Sequence, residues 1–155
     1  MDKKVLFICR LISFSWDKRN ECRFITDDGS IYEFNFNNHD LPKKTTVNDI
    51  LSFCQNILKD NTIVPLATIN KEEITKAYEL VPRIKSFGYE MKQISNDDGE
   101  ISLSVVQNGS IKIIATTGQF FGCAEGEEVQ QILKILEKNN FFSTNYTFAT
   151  ISCFS

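Results

Sequence analysis

The sequence predicts an α+β fold in which an antiparallel meander sheet carries about three packed helices, in the order βββα-α-βββαβ. Three observations lead to this prediction. Apolar runs are separated by turn sequences at Asp27–Ser30 and at Asn108-Gly109. Other stretches repeat apolar residues at every third or fourth position. No linker-like segment divides the chain, so we expect one domain that spans residues 1–155.

The first three strands are predicted as a meander. Val5–Trp16 is rich in Phe, Ile and Leu, with Arg10 as its only charge, and is typical of a long, largely buried strand. A polar turn leads to a second strand, Cys22–Thr26, and Gly29 then supplies the positive φ that a tight hairpin needs. In the third strand, Ile31–Phe36, aromatic and polar residues alternate.

Three helices are predicted from apolar spacing and capping residues. Val47–Leu58 carries one apolar stripe, and Thr46 precedes it as a cap. A second helix begins after Asn70 and ends or kinks at Pro82. The third, Glu127–Lys138, has acids at its start and lysines at its end, which is the arrangement that the helix dipole favours.

The second half of the chain supplies the remaining strands. They are predicted at Tyr89–Ile94, Glu100–Gln107, Ser110–Thr116 and Phe142–Phe154. Asn108-Gly109 is the strongest short hairpin signal in the sequence. Thr62–Ile69 is apolar and extended but contains Pro65, so we expect a connector or at best an edge strand. The glycines around Phe120 and Phe121 predict a break in regular structure.

Composition excludes several classes of function. The 155 residues carry 17 Lys+Arg against 20 Asp+Glu, a formal net charge of −3. This balance argues against a nucleic-acid-binding domain with a broad basic face. The first apolar run ends at Arg10, and this run is too short for the apolar region of a signal peptide. No run approaches the ~18 apolar residues of a membrane span. We therefore expect no nucleic-acid partner and no membrane association.

The five cysteines predict reduced thiols. Their number is odd and no two stand in C-x-x-C spacing, which makes both a disulfide framework and a zinc site poor interpretations. Buried thiols that act as small apolar side chains fit better. They favour a reducing compartment, most simply the cytoplasm.

Residues that could carry nucleophilic or acid–base catalysis are few. The only histidine, His39, lies in a predicted polar loop. Its residue type would allow a catalytic Cys–His pair with Cys54 or Cys123, but nothing in the sequence indicates that the side chains are close together. The acid pairs Asp27-Asp28 and Asp97-Asp98 lie in predicted turns, which are solvated, whereas paired catalytic carboxylates of the glycosidase type need one buried member.

A phosphate-binding loop is also a poor interpretation. Gly118, Gly122 and Gly126 precede a helix, as in such loops, but three glutamates crowd the same segment and no phosphate-binding lysine follows. We therefore expect no enzyme, no metal site and no cofactor.

A binding surface remains the best-supported kind of site. The 18 aromatic residues are many for this length, and several lie at the ends of predicted elements next to carboxylates. Exposed aromatics beside charged groups are typical of protein-binding patches. The candidate binding residues are Glu125, Glu127, Glu128, Asp97, Asp98, Phe120 and Phe121.

The layout resembles that of the small immunity proteins that accompany bacterial interbacterial toxins. Ile31–Phe36 leads to the helix Val47–Leu58, the Glu72–Leu80 segment follows, and a hairpin at Asn108-Gly109 precedes the closing helix. The resemblance covers most of the chain but includes no diagnostic motif. It implies a cytoplasmic, non-catalytic protein that binds and blocks a cognate protein toxin.

Two other functions stay open at this point. One is a small-molecule-binding or minor enzymatic domain with a cavity between the sheet and the helices. The other is a homodimer joined through an edge strand, either Val5–Trp16 or Phe142–Phe154.

Overall fold

One antiparallel sheet with helices on both faces forms the molecule. The computed structural model describes residues 3–12, 20–35, 47–87, 92–93, 100–118, 120–124 and 126–142. Within these ranges the elements are β1 Val5–Ile12, β2 Asn20–Thr26, β3 Ser30–Asn35, α1 Val47–Leu58, β4 Ala67–Thr68, α2 Lys71–Glu79, a 3₁₀ turn Val81–Arg83, β5 Lys92–Gln93, β6 Glu100–Gln107, β7 Ser110–Gly118, β8 Phe120–Cys123 and α3 Glu127–Lys138.

The strand order across the sheet is β4-β3-β2-β1-β6-β7-β8-β5. Two meanders, β1-β2-β3 and β6-β7-β8, lie side by side, and the antiparallel pairing of β1 with β6 joins them. The predicted α+β class, with an antiparallel sheet and three helices, is confirmed.

Alternation along the strands gives the sheet two apolar faces. The face covered by α2 and α3, called here the helix-pair face, includes Phe7, Leu103 and Ile114. The opposite face, called the α1 face, includes Ile8 and Phe24 and packs against α1. The sheet is therefore a central layer, and its strands are buried on both sides.

The helix boundaries follow from capping groups and charge. The Asn70 side chain accepts a 2.8 Å hydrogen bond from the Glu72 backbone N–H, which caps α2. Gly126, at φ 113°, precedes α3, and the first turn of α3 contains Glu127 and Glu128. Carboxylates at this end of a helix are favoured by its dipole. None of the helices in the described ranges is long and apolar enough to cross a membrane.

Two tight turns were correctly located from their residues. The β2–β3 hairpin turns at Gly29, whose φ is 87°. The β6–β7 hairpin turns at Asn108 and Gly109, with φ values of 52° and 78°. Positive φ at both central residues is the signature of a type I′ hairpin, which Asn-Gly favours.

Four expectations are wrong or fall largely outside the described residues. The irregular segment predicted around Phe120 and Phe121 is instead strand β8, which pairs with β7. The described part of the first strand, Val5–Ile12, is paired on both sides, so the expectation that it offers an edge for a homodimer is wrong. Of the predicted final strand Phe142–Phe154, all but Phe142 lies outside the described residues, as does most of Tyr89–Ile94.

Candidate functional site

A groove in the described chain lies between α2 and α3, called here the α2–α3 groove. Its volume is about 520 Å³. It is lined by Glu73, Lys76, Glu79, Leu80, Arg83, Gln131, Lys134, Ile135 and Lys138. The groove lies on the outer side of the helix pair, facing away from the sheet.

The two helices expose this groove because each buries only one stripe. In α3, the residues buried against the sheet are Val129, Ile132, Leu133 and Leu136. The opposite stripe is exposed and follows a spacing of three or four residues, which places its members on one side of the helix. These exposed residues are Glu127, Gln131, Lys134 and Lys138.

The groove combines an apolar floor with a charged rim. Leu80 and Ile135 are half-buried in it. Its rim carries four cationic side chains and two carboxylates: Lys76, Arg83, Lys134, Lys138, Glu73 and Glu79. One ion pair spans it, with Lys138 Nζ 3.8 Å from Glu73 Oε1. The surplus of cations suits an acidic, partly apolar segment of another molecule.

A second groove lies between the end of α1 and the sheet. Its volume is about 760 Å³, and Lys3 and Tyr32 contribute to its wall. Lys3 Nζ donates to the Tyr32 hydroxyl at 3.0 Å and lies 3.2 Å from Asp28 Oδ2. The hydrogen bond to Tyr32 is the main cause of a raised Lys3 pKa, and burial opposes it. The cation is therefore held by groups of the protein itself.

Asp28 belongs to the hairpin turn rather than to a catalytic pair. Its Oδ1 accepts from the Thr26 hydroxyl at 2.6 Å and from the Ser30 N–H at 3.1 Å. Burial alone would raise the pKa of this carboxyl, but the hydrogen bonds from Thr26, Ser30 and Lys3 outweigh it and lower the pKa to about 2. The interpretation of this acid as a turn residue agrees with that geometry.

A row of polar side chains, buried except at the half-buried Ser102, crosses the α1 face. The row runs across four neighbouring strands, from Cys22 on β2 through Arg10 on β1 and Ser102 on β6 to Thr116 on β7. Arg10 donates from Nη2 to Asn20 Oδ1 at 3.4 Å, and burial lowers the pKa of its guanidinium. From the sequence, Arg10 was identified as the only charge of the first predicted strand, but its partners were not predicted. A charge within a buried strand was the available signal for this row.

The structure brings together two of the predicted binding residues. Glu127 is exposed and Glu128 half-buried in the first turn of α3. The Glu128 carboxylate lies close to Gly126, since its Oε2 would be 2.7 Å from a Cβ built there. Phe120 and Phe121 lie in β8, opposite Gln93 and Lys92 of β5. Glu125, Asp97 and Asp98 lie outside the described residues.

The described chain contains only part of the catalytic candidates considered in the sequence. Cys54 is buried on α1, and His39 lies outside the described residues. Gly118 and Gly122 belong to strands β7 and β8 rather than to a phosphate loop. Within the described ranges, no three His, Cys, Asp or Glu side chains are grouped so that they could hold a metal ion.

The expectation of five reduced thiols is wrong at Cys123. Cys9, Cys22 and Cys54 are free and buried. Cys123, however, is disulfide-bonded, and its partner lies outside the described residues. The odd cysteine count and the absence of C-x-x-C spacing did not exclude a single bridge, because disulfide partners are set by the fold rather than by sequence spacing.

No protein-family model, no curated protein and no solved structure matches the chain. The likeness to immunity proteins therefore rests on the layout of the sequence elements.

Proposed function

We propose that this protein is a non-catalytic binding protein, an immunity protein that neutralises a cognate bacterial toxin by protein–protein binding. The observation that supports the proposal best is the α2–α3 groove, with its apolar floor and cationic rim. The layout of the sequence, which resembles toxin immunity proteins, supplies the class of partner.

The groove would contribute the centre of the interface rather than all of it. A stable complex buries about 1,600 Å² in total, more than a groove between two short helices offers. The exposed stripe of α3 extends the same surface from Lys138 to Glu127. We therefore place the interface along the outer side of α3, with the half-buried Leu80 and Ile135 as its apolar contacts.

The charge of the rim specifies the chemistry of the partner. Four cations against two carboxylates favour an acidic segment of the toxin. The prediction made from the sequence concerned the acids instead, and Glu127 lies at the far end of the same stripe. Both ends of α3 therefore belong to one testable surface.

The function is tested with the neighbouring gene. We would co-express the protein with the product of the gene directly upstream of its own, tag one of the two, and measure co-purification and growth. A complex that removes the toxicity of the neighbour supports an immunity protein. A neighbour that is not toxic and does not bind overturns the proposal.

The surface is tested with a matched pair of charge reversals. Lys134→Glu changes an exposed groove residue, and Lys59→Glu makes the same change at an exposed site after α1. We expect the first to raise the Kd for the toxin about tenfold and the second to leave it within twofold. Glu127→Lys tests the acidic end. If Lys134→Glu and Lys59→Glu change the Kd equally, the α2–α3 groove is not the interface. That result would not contradict the proposal that the protein binds a toxin.

The second groove favours an alternative function, the binding of a small molecule between sheet and helix. Its volume of about 760 Å³ and its mixed lining, which includes Lys3, Tyr32 and Ile63, suit a ligand of moderate size. A thermal-shift screen of small carboxylic acids and inorganic phosphate tests it, with Lys3→Met as control. A rise in Tm that Lys3→Met abolishes would support this function, and no rise with any compound would count against it.

We propose the cytoplasm of the toxin-producing cell as the compartment. Three of the four described cysteines are free thiols, which fits a reducing environment, whereas the disulfide at Cys123 is unusual there. Cell fractionation with an antibody against the native protein decides between the cytoplasm and an oxidising compartment.

A further inference from the structure

Two buried cysteines from distant parts of the chain face each other on the α1 face. Cys22 lies on β2 and Cys54 on α1, and their Sγ atoms are 4.0 Å apart. Their exposed fractions are 1% and 0%. Thirty-two positions separate them in the sequence, so folding, and not local spacing, brings the two thiols together.

The surroundings of the pair restrict what each thiol can contact. Cys22 points from the sheet into the same apolar cluster as Phe24, and Cys54 comes from the buried stripe of α1 between Ile50 and Ile57. Cys9 lies on the helix-pair face, across the sheet from both. Among the three free cysteines, only Cys22 and Cys54 are therefore placed to react with each other.

We propose that Cys22 and Cys54 are a disulfide-forming pair that bonds α1 to the sheet when the protein meets a disulfide oxidant. A disulfide has an S–S distance of about 2.05 Å, so the two sulfur atoms must approach by about 2 Å. Rotation of the two side chains about their Cα–Cβ bonds, together with a small shift of α1 towards the sheet, would supply this movement.

The reaction is a thiol–disulfide exchange, with oxidised glutathione as the oxidant. One thiol, as its thiolate, attacks a sulfur of oxidised glutathione and displaces one glutathione thiol. The second then attacks the mixed disulfide and displaces the other. The cysteine pair loses two electrons and two protons in total. Oxidised glutathione accepts these electrons and protons and is released as two molecules of reduced glutathione.

The closed structure protects the thiols until α1 separates from the sheet. The hydrogen-bond contact with Cys22 and burial both raise the pKa of Cys54, so little thiolate forms while the helix is packed. Opening of α1 admits the oxidant, and closing brings the sulfurs back together. The bond would close a loop of about 30 residues, which restricts the unfolded chain and raises Tm by about 5–10 °C.

Trypsin separates the cysteines in a way that makes the test direct. Cleavage after Lys and Arg places Cys22 in residues 20–23, Cys54 in residues 45–59 and Cys9 in residues 5–10, each with one cysteine. The purified full-length chain would be equilibrated in glutathione buffers from reducing to oxidising, quenched with acid, alkylated in denaturant and digested without reduction.

The proposal predicts that the peptides 20–23 and 45–59 appear as one linked species in oxidising buffer, while Cys9 stays alkylated throughout. Cys22→Ser and Cys54→Ala should each remove the same part of the rise in Tm on oxidation, whereas any part that comes from the Cys123 disulfide should remain, and Cys9→Ala should leave the whole rise unchanged. Complete alkylation of Cys22 and Cys54 at every glutathione ratio would overturn the proposal, as would a bond from either residue to a different cysteine. Because the thiols are counted in the wild-type chain, the result stands even where a variant fails to fold.

Discussion

Replacement of Gly29 by alanine is expected to destabilise the protein through a contact that the structure makes specific. Gly29 has a φ of 87°, and a Cβ at this position would lie 2.3 Å from the carbonyl oxygen of Ile69. The Ile69 N–H donates to the Gly29 carbonyl at 2.9 Å. The segment after β4 therefore cannot retreat from the new methyl group without losing this hydrogen bond.

Gly109→Ala provides the control. Gly109 has a similar φ of 78°, but a Cβ there meets nothing within 4 Å. Left-handed backbone costs an alanine about 1–2 kcal/mol relative to glycine at either site, and the lower entropy of the unfolded chain offsets part of this equally in both. The difference between the two variants therefore measures the clash at Ile69.

The size of that difference in the free energy of unfolding can be worked out from the displacement of the Ile69 backbone. Loss of the Ile69–Gly29 hydrogen bond costs about 1 kcal/mol, and displacement of the backbone from its packed position adds about 1 kcal/mol. We expect Gly29→Ala to lower the free energy of unfolding by about 3 kcal/mol and Gly109→Ala by about 1 kcal/mol. Urea unfolding measures both, and the midpoints should differ by about 1 M. Equal midpoints would refute the assigned contact.

Two further predictions concern single hydrogen-bonded groups. The Asp28 pKa is lowered to about 2, so its contribution to stability is present above about pH 4 and lost as the pH falls through 2. The Asp28 side chain is 42% exposed, and we therefore expect Asp28→Asn to cost only about 1 kcal/mol at pH 7, with the gap to wild type closing in urea titrations near pH 2. Tyr78 donates a hydrogen bond to the Val106 carbonyl, and Tyr78→Phe should cost about 1 kcal/mol in the same assay. Burial raises the pKa of Tyr78, so absorbance titration of the phenols should lose one transition above the ordinary phenol range in this variant.

The sequence predicted the elements whose signals are local. The bounds of α1, α3 and β6 agree with the predicted Val47–Leu58, Glu127–Lys138 and Glu100–Gln107, because apolar spacing and turn residues act within a few positions. Strand β8 was missed because glycine disfavours strands. Its pairing with β7, in which Gly122 lies opposite Thr116, outweighs that local preference.

The candidate sites could not be predicted because they depend on contacts between residues that are distant in the sequence. The α2–α3 groove forms where two helices almost fifty residues apart in the sequence lie side by side. In the sequence, the charges of Lys76 and Lys134 look like those of ordinary solvated helix faces. The position of β1 in the sheet depends on pairing with β6, which is distant in sequence. The contact between Cys22 and Cys54 likewise leaves no trace in their spacing.

The pairing of β1 with β6, called here the seam, joins the two meanders and has a consequence for how the chain folds. Phe7 lies opposite Val105, a contact across roughly 100 residues, whereas each meander closes through short turns. Non-local contacts carry the larger entropic cost of loop closure, so we expect the meanders to form first and the seam last. Until then β1 is an unpaired apolar edge, open to pairing with other molecules. Arg10, the only charge in that strand, makes such mispairing costly, and protection from aggregation is one benefit of keeping a cation in the middle of the sheet.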